Sequence, residues 1–387
     1  MQSLRFRSIC LICLAAILII IAGCEGLPTS AGNSPSNPSN PGTQAPGGNP
    51  GGGGNGGTPQ STSTFVYFTN GNPFSSPAAN TLVFKLNGDG ALIAGSSFSD
   101  PNIIFGQSSK FLIGVNGNSS ALGPTVYSVN TQTGVPQSQV SHVKDGGGVT
   151  DGATLYTSVI STGGGVDAYS ISSTGQLSLV PGSPFDAAPS GAFFNKSYAS
   201  FQIVGSLLFA DFNTVKDAGN ITVFSRASNG ALTRKFDFGN GDTPFGYVVH
   251  PTTRFGYVVS DISNLDVYSL DMNSNSATRI QQVSDPSGSG FVILDPAGKF
   301  LFLHDNGVRE FSIDQGSGKL TEISGSPLAS DNSIRDYGFD PSGRFLIVVH
   351  KNSVNVYALN PGNGSLTQVG PTYAVGDNLT AQAFAIF

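Results

Sequence analysis

Short apolar runs separated by turn residues repeat along the chain from about residue 64 onward. One unit, which follows Gly290, reads FVILDPAGKFLFLHDNGVREFSIDQGSGKLTEISGSPL, and a similar unit some 45 residues later reads YGFDPSGRFLIVVHKNSVNVYALNPGNGSLTQVGPTY. Each unit holds four runs of strand length, and turns rich in Gly, Pro, Asn or Asp separate them. A repeat of about 40–50 residues with four strands is typical of one blade of a β-propeller.

An aromatic residue in the third run of each unit gives the number of blades. Successive aromatics are separated by 43, 42, 55, 44, 43 and 46 residues. They are Phe84, Tyr127, Tyr169, Phe224, Tyr268, Phe311 and Tyr357. Seven positions predict an all-β fold, a seven-bladed β-propeller over residues 64–387. The long interval places an insertion at residues 196–219 of blade four, which is either a binding loop or a tolerated surface loop.

The two ends of the repeat region predict how the ring closes. TAQAFAIF, at residues 380–387, has the pattern of an innermost strand with no blade after it. FVYF, at residues 65–68, has the pattern of a second strand with no innermost strand before it. We therefore expect the N- and C-terminal strands to pair in one blade, which removes exposed strand edges.

The most conspicuous repeated motif, Asp-Pro-x-Gly, is predicted to have a structural role as a turn. Asp295 and Asp340 begin Asp-Pro-x-Gly sequences, which favour a type I turn between a first and a second strand. His250 takes the place of Asp in a third such turn, at His250-Pro251, so we expect it to be structural.

The first 63 residues do not follow the repeat. Arg5 and Arg7 precede an apolar run over residues 9–22, and Ile21-Ala22-Gly23-Cys24 then resembles a bacterial lipobox. Residues 1–23 are thus predicted as a lipoprotein signal peptide, with Cys24 lipidated; an ordinary signal peptide that contains a cysteine is the alternative. Residues 24–63 would be the lipidated cysteine and a disordered tether rich in Gly, Pro, Ser and Asn. The predicted location is the bacterial cell envelope, extracytoplasmic (periplasmic or cell surface) and anchored to the membrane.

Cysteine content and charge exclude several function classes. Cys10 and Cys13 lie in the predicted signal peptide, so the body of the protein has no thiol for catalysis, metal binding or an internal disulfide. Without Arg5 and Arg7 the chain has 16 basic and 24 acidic residues, a net charge of −8. This balance argues against a nucleic-acid partner, which requires a basic face.

The repeat phrase DPSGRFLIVVH, followed by VNVYALNPGNGSLTQV, resembles the repeats of the lactonase-like seven-bladed propellers, also called the YVTN family. The similarity is best over residues 244–373 and poorest across the blade-four insertion. It implies the propeller fold, and as an activity it implies lactone hydrolysis of the 6-phosphogluconolactonase type, although many propellers share only the scaffold.

An Asp recurs in every loop that joins the outer strand of one blade to the inner strand of the next. Because these loops meet at one mouth of a propeller channel, the carboxylates predict a rim that binds a cation, with Ca²⁺ the obvious candidate, or a cationic ligand. Capping of local turns is the alternative for the same residues. They are Asp100, Asp145, Asp186, Asp242, Asp285, Asp331 and Asp377.

Five other polar residues are expected near that rim. In a hydrolase, these residues could supply a general base and an electrophile. The alternative is that they only form an ordinary polar rim. They are His142, Lys144, His304, Arg335 and His350. The pattern favours a membrane-anchored binding module, with an unknown small-molecule or protein ligand at the rim and no required cofactor. A lactone hydrolase is the alternative function.

Overall fold

The computed structural model describes residues 63–70, 80–99, 103–108, 110–115, 123–159, 164–187, 197–213, 220–239, 244–260, 264–284, 291–304, 307–328, 333–375 and 379–386. The predicted signal peptide, Cys24 and all of the predicted tether but residue 63 lie outside these ranges. The described ranges form β-strands and turns, and they contain no helix long and apolar enough to cross a membrane.

The strands form seven antiparallel sheets of four strands each, one sheet per blade. Blade one consists of β28 (Leu379–Ile386), β1 (Thr64–Asn70), β2 (Asn80–Leu86) and β3 (Leu92–Phe98). Blade two consists of β4 (Ile103–Ser108), β5 (Phe111–Val115), β6 (Pro124–Val129) and β7 (Pro136–His142). Blade three consists of β8 (Gly148–Thr150), β9 (Thr154–Ser158), β10 (Val166–Ile171) and β11 (Leu177–Leu179).

The remaining four blades follow in chain order. Blade four consists of β12 (Ser197–Val204), β13 (Leu207–Asn213), β14 (Asn220–Arg226) and β15 (Leu232–Phe238). Blade five consists of β16 (Pro244–Val249), β17 (Phe255–Ser260), β18 (Asn264–Asp271) and β19 (Ser276–Ser284). Blade six consists of β20 (Val292–Leu294), β21 (Phe300–His304), β22 (Val308–Ile313) and β23 (Leu320–Glu322). Blade seven consists of β24 (Ile334–Phe339), β25 (Phe345–His350), β26 (Ser353–Leu359) and β27 (Leu366–Ala374). The seven-bladed all-β prediction is confirmed.

Both ends of the described chain lie in blade one. β1 pairs antiparallel with β28, from Thr64 opposite Ile386 to Asn70 opposite Leu379. The first strand of each sheet lies innermost, and neighbouring innermost strands contact one another around the centre.

The core lies between blades, because each sheet buries both of its faces. Between blades five and six, Tyr257 and Val259 pack against Leu301, Leu303 and Phe311, and all five side chains are buried. Alternating residues of one strand therefore face the blade before and the blade after it. Burial of this apolar area stabilises the fold by about 25 cal/mol per Å². The aromatics used to count the blades lie in the third strands, where all but Tyr169 are buried.

The two faces of the ring carry different connections. We call the face with the turns between first and second strands and between third and fourth strands the turn face. The opposite face, with the loops between second and third strands and between blades, is the loop face. On the turn face, Asp295 accepts hydrogen bonds from the backbone N–H groups of Ala297, Lys299 and Phe300. The Nε2 atom of His250 lies 2.8 Å from the Gly298 carbonyl oxygen of the next blade, as expected for a structural residue.

A glycine in the turn between third and fourth strands joins neighbouring blades on the turn face. Gly318 has φ of 73°, and a Cβ there would lie 2.3 Å from the ring of Phe255 in blade five. The hydroxyl of Tyr257 donates a hydrogen bond of 3.1 Å to the Gly318 carbonyl oxygen. Gly90 of blade one approaches Phe345 of blade seven in the same way, so the contact also links the first blade to the last.

Candidate functional site

Two histidines meet at the interface between blades six and seven, on the loop face. His304 ends β21 and lies opposite Val308, whereas His350 ends β25 and lies opposite Ile334. Val308 and Ile334 both belong to the apolar core between these two blades. Because paired residues share one face of a sheet, His304 is directed toward blade seven and His350 toward blade six.

Hydrogen bonds fix the ring of His350. Its Nδ1 atom lies 3.0 Å from the hydroxyl oxygen of Ser333. The side-chain amide of Asn355 lies 3.5 Å from Nε2 and also contacts the hydroxyl of Tyr357 at 3.3 Å. The His350 side chain is buried, so these contacts hold the ring in one orientation.

Aromatic side chains surround His304. Its ring centroid lies 6.0 Å from that of Phe291, edge to face, and 6.5 Å from that of Tyr337 in a stacked arrangement. The hydroxyl of Tyr337 donates to the carbonyl oxygens of Phe291 and Phe302, at 2.8 and 3.2 Å. The Tyr337 hydroxyl therefore binds blade six, and the Tyr337 ring packs on His304 from β24, the innermost strand of blade seven.

Arg335 supplies a positive charge one residue after Ile334, which pairs with His350. It lies at a β-bulge, where the pairing of β24 with β25 shifts between Ile334 and Asp336. A bulge changes the direction of a side chain, and Arg335 is exposed whereas its neighbours on both sides are buried. Since β24 is an innermost strand and Arg335 is its second residue, Arg335 lies at the loop-face end of the channel wall.

A buried acid faces the same interface. Glu310 lies opposite Phe302 in the pairing of β21 with β22, and Phe302 belongs to the core between blades six and seven. Burial raises the pKa of Glu310 to about 7, so its carboxyl group titrates near neutral pH. We call His304, Glu310, Ser333, Arg335, His350 and Asn355 the blade six–seven cluster.

This cluster contains the groups that attack on a carbonyl carbon requires. An imidazole can accept the proton of an attacking hydroxyl or water, and a guanidinium can stabilise the negative charge that develops on the carbonyl oxygen. The arrangement therefore suits hydrolysis of an ester or a lactone.

The other two rim candidates lie elsewhere. His142 ends β7 in blade two, where its Nδ1 lies 2.8 Å from the hydroxyl of Thr125. Burial lowers the pKa of His142, and Lys144 lowers it further. Blades one and seven separate blade two from blade six, so His142 and Lys144 are not part of the blade six–seven cluster.

Two residues of the predicted aspartate rim lie in the described part of the chain. Asp145 accepts hydrogen bonds from the hydroxyls of Thr157 and Tyr169, at 2.8 and 2.7 Å. Asp186 has φ of 52° and lies 3.6 Å from Arg234 of blade four. Within the described ranges, no group of three or more His, Cys, Asp or Glu residues is placed to hold a metal ion. The other five predicted members lie outside the described residues: Asp100, Asp242, Asp285, Asp331 and Asp377.

Sequence reasoning missed Ser333, Asn355 and Glu310, and also Asp211 in blade four. Asp211 lies in the second strand of its blade, where the apolar run LLFADF is interrupted by one acid. A lone charged residue inside a buried strand was the feature that could have identified Asp211. Glu310 in VREFSI shows a weaker form of it, because Arg309 stands beside it and only Glu310 is buried.

Comparison with known proteins finds a family model that matches part of the chain. Residues 210–382 match the family model described as lactonase, 7-bladed beta-propeller. Over an alignment of 119 positions the chain is 29% identical to a 6-phosphogluconolactonase of Formosa agariphila. The alignment covers 28% of this chain and only 33% of the length of this curated relative.

Solved structures share the whole propeller. A candidate 6-phosphogluconolactonase of Bacteroides fragilis superposes with a TM-score of 0.63, over 84% of this chain and 98% of its own, at 19% identity. A periplasmic gluconolactonase of Pseudomonas aeruginosa superposes with a TM-score of 0.61, over 84% and 99%, also at 19% identity. Identity at this level shows the fold alone. The matches together favour the lactonase alternative over the binding module.

Proposed function

We propose that this seven-bladed β-propeller hydrolyses a sugar lactone at the blade six–seven cluster. The observation that carries the proposal is the placement of two residues at the loop-face end of blade seven: His350, whose Nδ1 is held by Ser333, pairs with Ile334, and the exposed Arg335 is the next residue. The family match over residues 210–382, which contain the whole cluster, supports the same activity.

The proposed reaction needs one base and one cation. In the proposed step, the attacking water replaces the Asn355 amide at Nε2 of His350, a contact of 3.5 Å, while Ser333 stays on Nδ1. Nε2 accepts a proton from this water as the water oxygen forms a bond to the lactone carbonyl carbon. Arg335 stabilises the oxyanion of the tetrahedral intermediate. When the bond between this carbon and the ring oxygen breaks, the proton passes from His350 to the leaving oxygen, and the product is the open hydroxy acid. No cofactor is required, and Ca²⁺ at the aspartate rim stays a prediction.

Lactonase assays on the chain from Glu25 onward test this proposal. We expect 6-phosphogluconolactone or gluconolactone to open faster than in buffer alone. His350→Gln should lower kcat by roughly 10²–10⁴-fold because the base is lost. Arg335→Gln should lower it by roughly 10²–10³-fold because one oxyanion partner is lost.

His142→Gln in blade two is the matched control, since it removes a loop-face histidine outside the cluster. We expect it to keep the full rate. No rate above buffer with either lactone, or unchanged rates for both cluster variants, would exclude the lactonase proposal.

A further inference from the structure

A cleft of about 480 Å³ lies on the turn face between blades six and seven. This volume is in the range of small-molecule sites, which is about 300–1,000 Å³. Turns of both blades form it, so it opens on the face opposite the blade six–seven cluster. Its apolar wall consists of Pro296, Phe345, Leu359 and Pro361.

Two cations line the cleft, Lys299 from blade six and Arg344 from blade seven, and both are exposed. Within the described part of the chain, neither forms an ion pair with a carboxylate. Asp295 is the one acid in the lining: its oxygens accept three backbone N–H groups, and the charge of Lys299 favours its ionised form. Two cations thus face a single carboxylate. The cleft is therefore positively charged, although the chain as a whole is acidic.

The structural role of Arg344 has a close parallel in blade five. Arg344 stacks on the ring of Phe345 at 5.0 Å and donates to the Gly88 carbonyl oxygen of the next blade at 2.9 Å. Arg254 stacks on Phe255 at 5.2 Å and donates to the Gly316 carbonyl oxygen at 3.2 Å. Arg344 also lines the cleft together with Lys299 and the apolar wall, so the contacts that it shares with Arg254 do not describe all of its surroundings.

We propose that this cleft is a second ligand site, distinct from the lactonase site, and that it binds an organic phosphate with an apolar group. Arg and Lys together suit a phosphate: Arg presents a planar pair of donors, and Lys adds a mobile point charge. The phosphate lies between Lys299 and Arg344, and the apolar part of the ligand packs on Leu359 and Pro361. A soluble phosphate ester and a phospholipid headgroup share this chemistry.

Calorimetry with phenyl phosphate tests the site on the chain from Glu25 onward. We expect one saturable site with Kd on the order of 0.1–1 mM, as suits a ligand of this size. Phenol and inorganic phosphate should each bind at least about threefold more weakly, because each lacks one half of the ligand. Salt at 0.5 M should weaken the binding by screening both charges.

Variants separate the site from its structural contacts. Lys299→Gln and Arg344→Gln should each raise Kd about threefold or more, whereas Arg344→Lys should lose less because it keeps the charge. Arg254→Gln removes the same stacking and carbonyl contact outside the cleft, and we expect it to leave Kd unchanged. Thermal melting identifies any variant that fails to fold.

Vesicles distinguish the two sources of the phosphate. If phosphatidylglycerol vesicles, but not phosphatidylcholine vesicles, retain the chain and compete with phenyl phosphate, the natural ligand is a headgroup; without competition it is a soluble ester. Absence of saturable binding of phenyl phosphate, equal binding of phenol, or equal weakening by Arg254→Gln would overturn the proposal. None of these results depends on lactonase activity.

Discussion

Buried acids near the loop-face ends of strands are the residues with the most unusual environment. The Asp211 side chain is only 2% exposed, and its Oδ1 atom has no hydrogen-bond partner in the described part of the chain. Burial alone raises the pKa of Asp211 to about 8. Asp167 has its pKa raised to about 6, by burial first and then by Asp145. Each carboxyl keeps its proton in the folded protein at a pH where the unfolded chain has lost it.

The sign of the resulting pH dependence follows from these shifts. The contribution of Asp211 to stability is complete below its ordinary pKa of 3.8 and decreases as the pH rises toward 8. We expect the melting temperature of Asp211→Asn, measured relative to the parent protein, to be about 3 °C or more higher at pH 9 than at pH 5.

Calorimetric melting between pH 5 and pH 9 measures this difference. Asp89→Asn, at an exposed turn of blade one, is the control, and its difference from the parent should not change over this range. A constant difference for Asp211→Asn would show that the carboxyl is not buried in its acid form.

Among the structural elements, the turns between third and fourth strands hold one blade against the next. Gly90 has φ of 87°, and a Cβ there would lie 2.8 Å from the ring of Phe345 and 2.9 Å from a methyl group of Val369. Gly88, in the same turn, has no atom within 4 Å of such a Cβ.

This pair of glycines gives a matched experiment. Gly90→Ala should lower the free energy of unfolding by about 1–3 kcal/mol, since it combines backbone strain with a clash between blades. Gly88→Ala should change it by less than about 0.5 kcal/mol. Urea titrations followed by tyrosine fluorescence measure both values, and equal losses would contradict an interblade role for Gly90.

At the scale of the whole molecule, the repeat was predictable and the site was only partly so. Strands and turns follow from local patterns, such as the Asp-Pro-x-Gly turns at Asp295 and Asp340, which need no knowledge of the rest of the chain. The sequence identified His304 and His350 as candidates. Whether they face the same interface depends on which side of its own sheet each side chain lies, because side chains alternate along a strand. One side chain is directed forward and the other backward around the ring, across 46 residues of sequence.

Other members of the site could not be predicted for related physical reasons. Arg335 owes its exposure to a bulge, which a pattern of alternating residues does not reveal. Glu310 owes its raised pKa to the depth of an interface that forms only when two blades pack. The grouping of His142 and Lys144 with the other rim residues assumed that residues on one face are neighbours, whereas a ring of seven blades separates them.

Anchoring is also a property of the whole molecule, and it remains a proposal. If Cys24 carries lipid, Cys24→Ser should release the protein from membranes into the soluble extracytoplasmic fraction. Fractionation of cells that express both forms, with detection of the propeller, measures the shift. Persistence of the Cys24→Ser form in the membrane fraction would argue for a different attachment.

The position of Thr64 shows which face of the propeller lies on the side of the predicted lipid anchor. Phe65, the next residue, packs against Gly134 on the turn face, so the chain enters the propeller there and the second strand runs from that face to the other. A lipid anchor upstream would pull on the turn face. The blade six–seven cluster would then face away from the membrane, toward diffusing molecules, and the cationic cleft would face the phosphates of the bilayer.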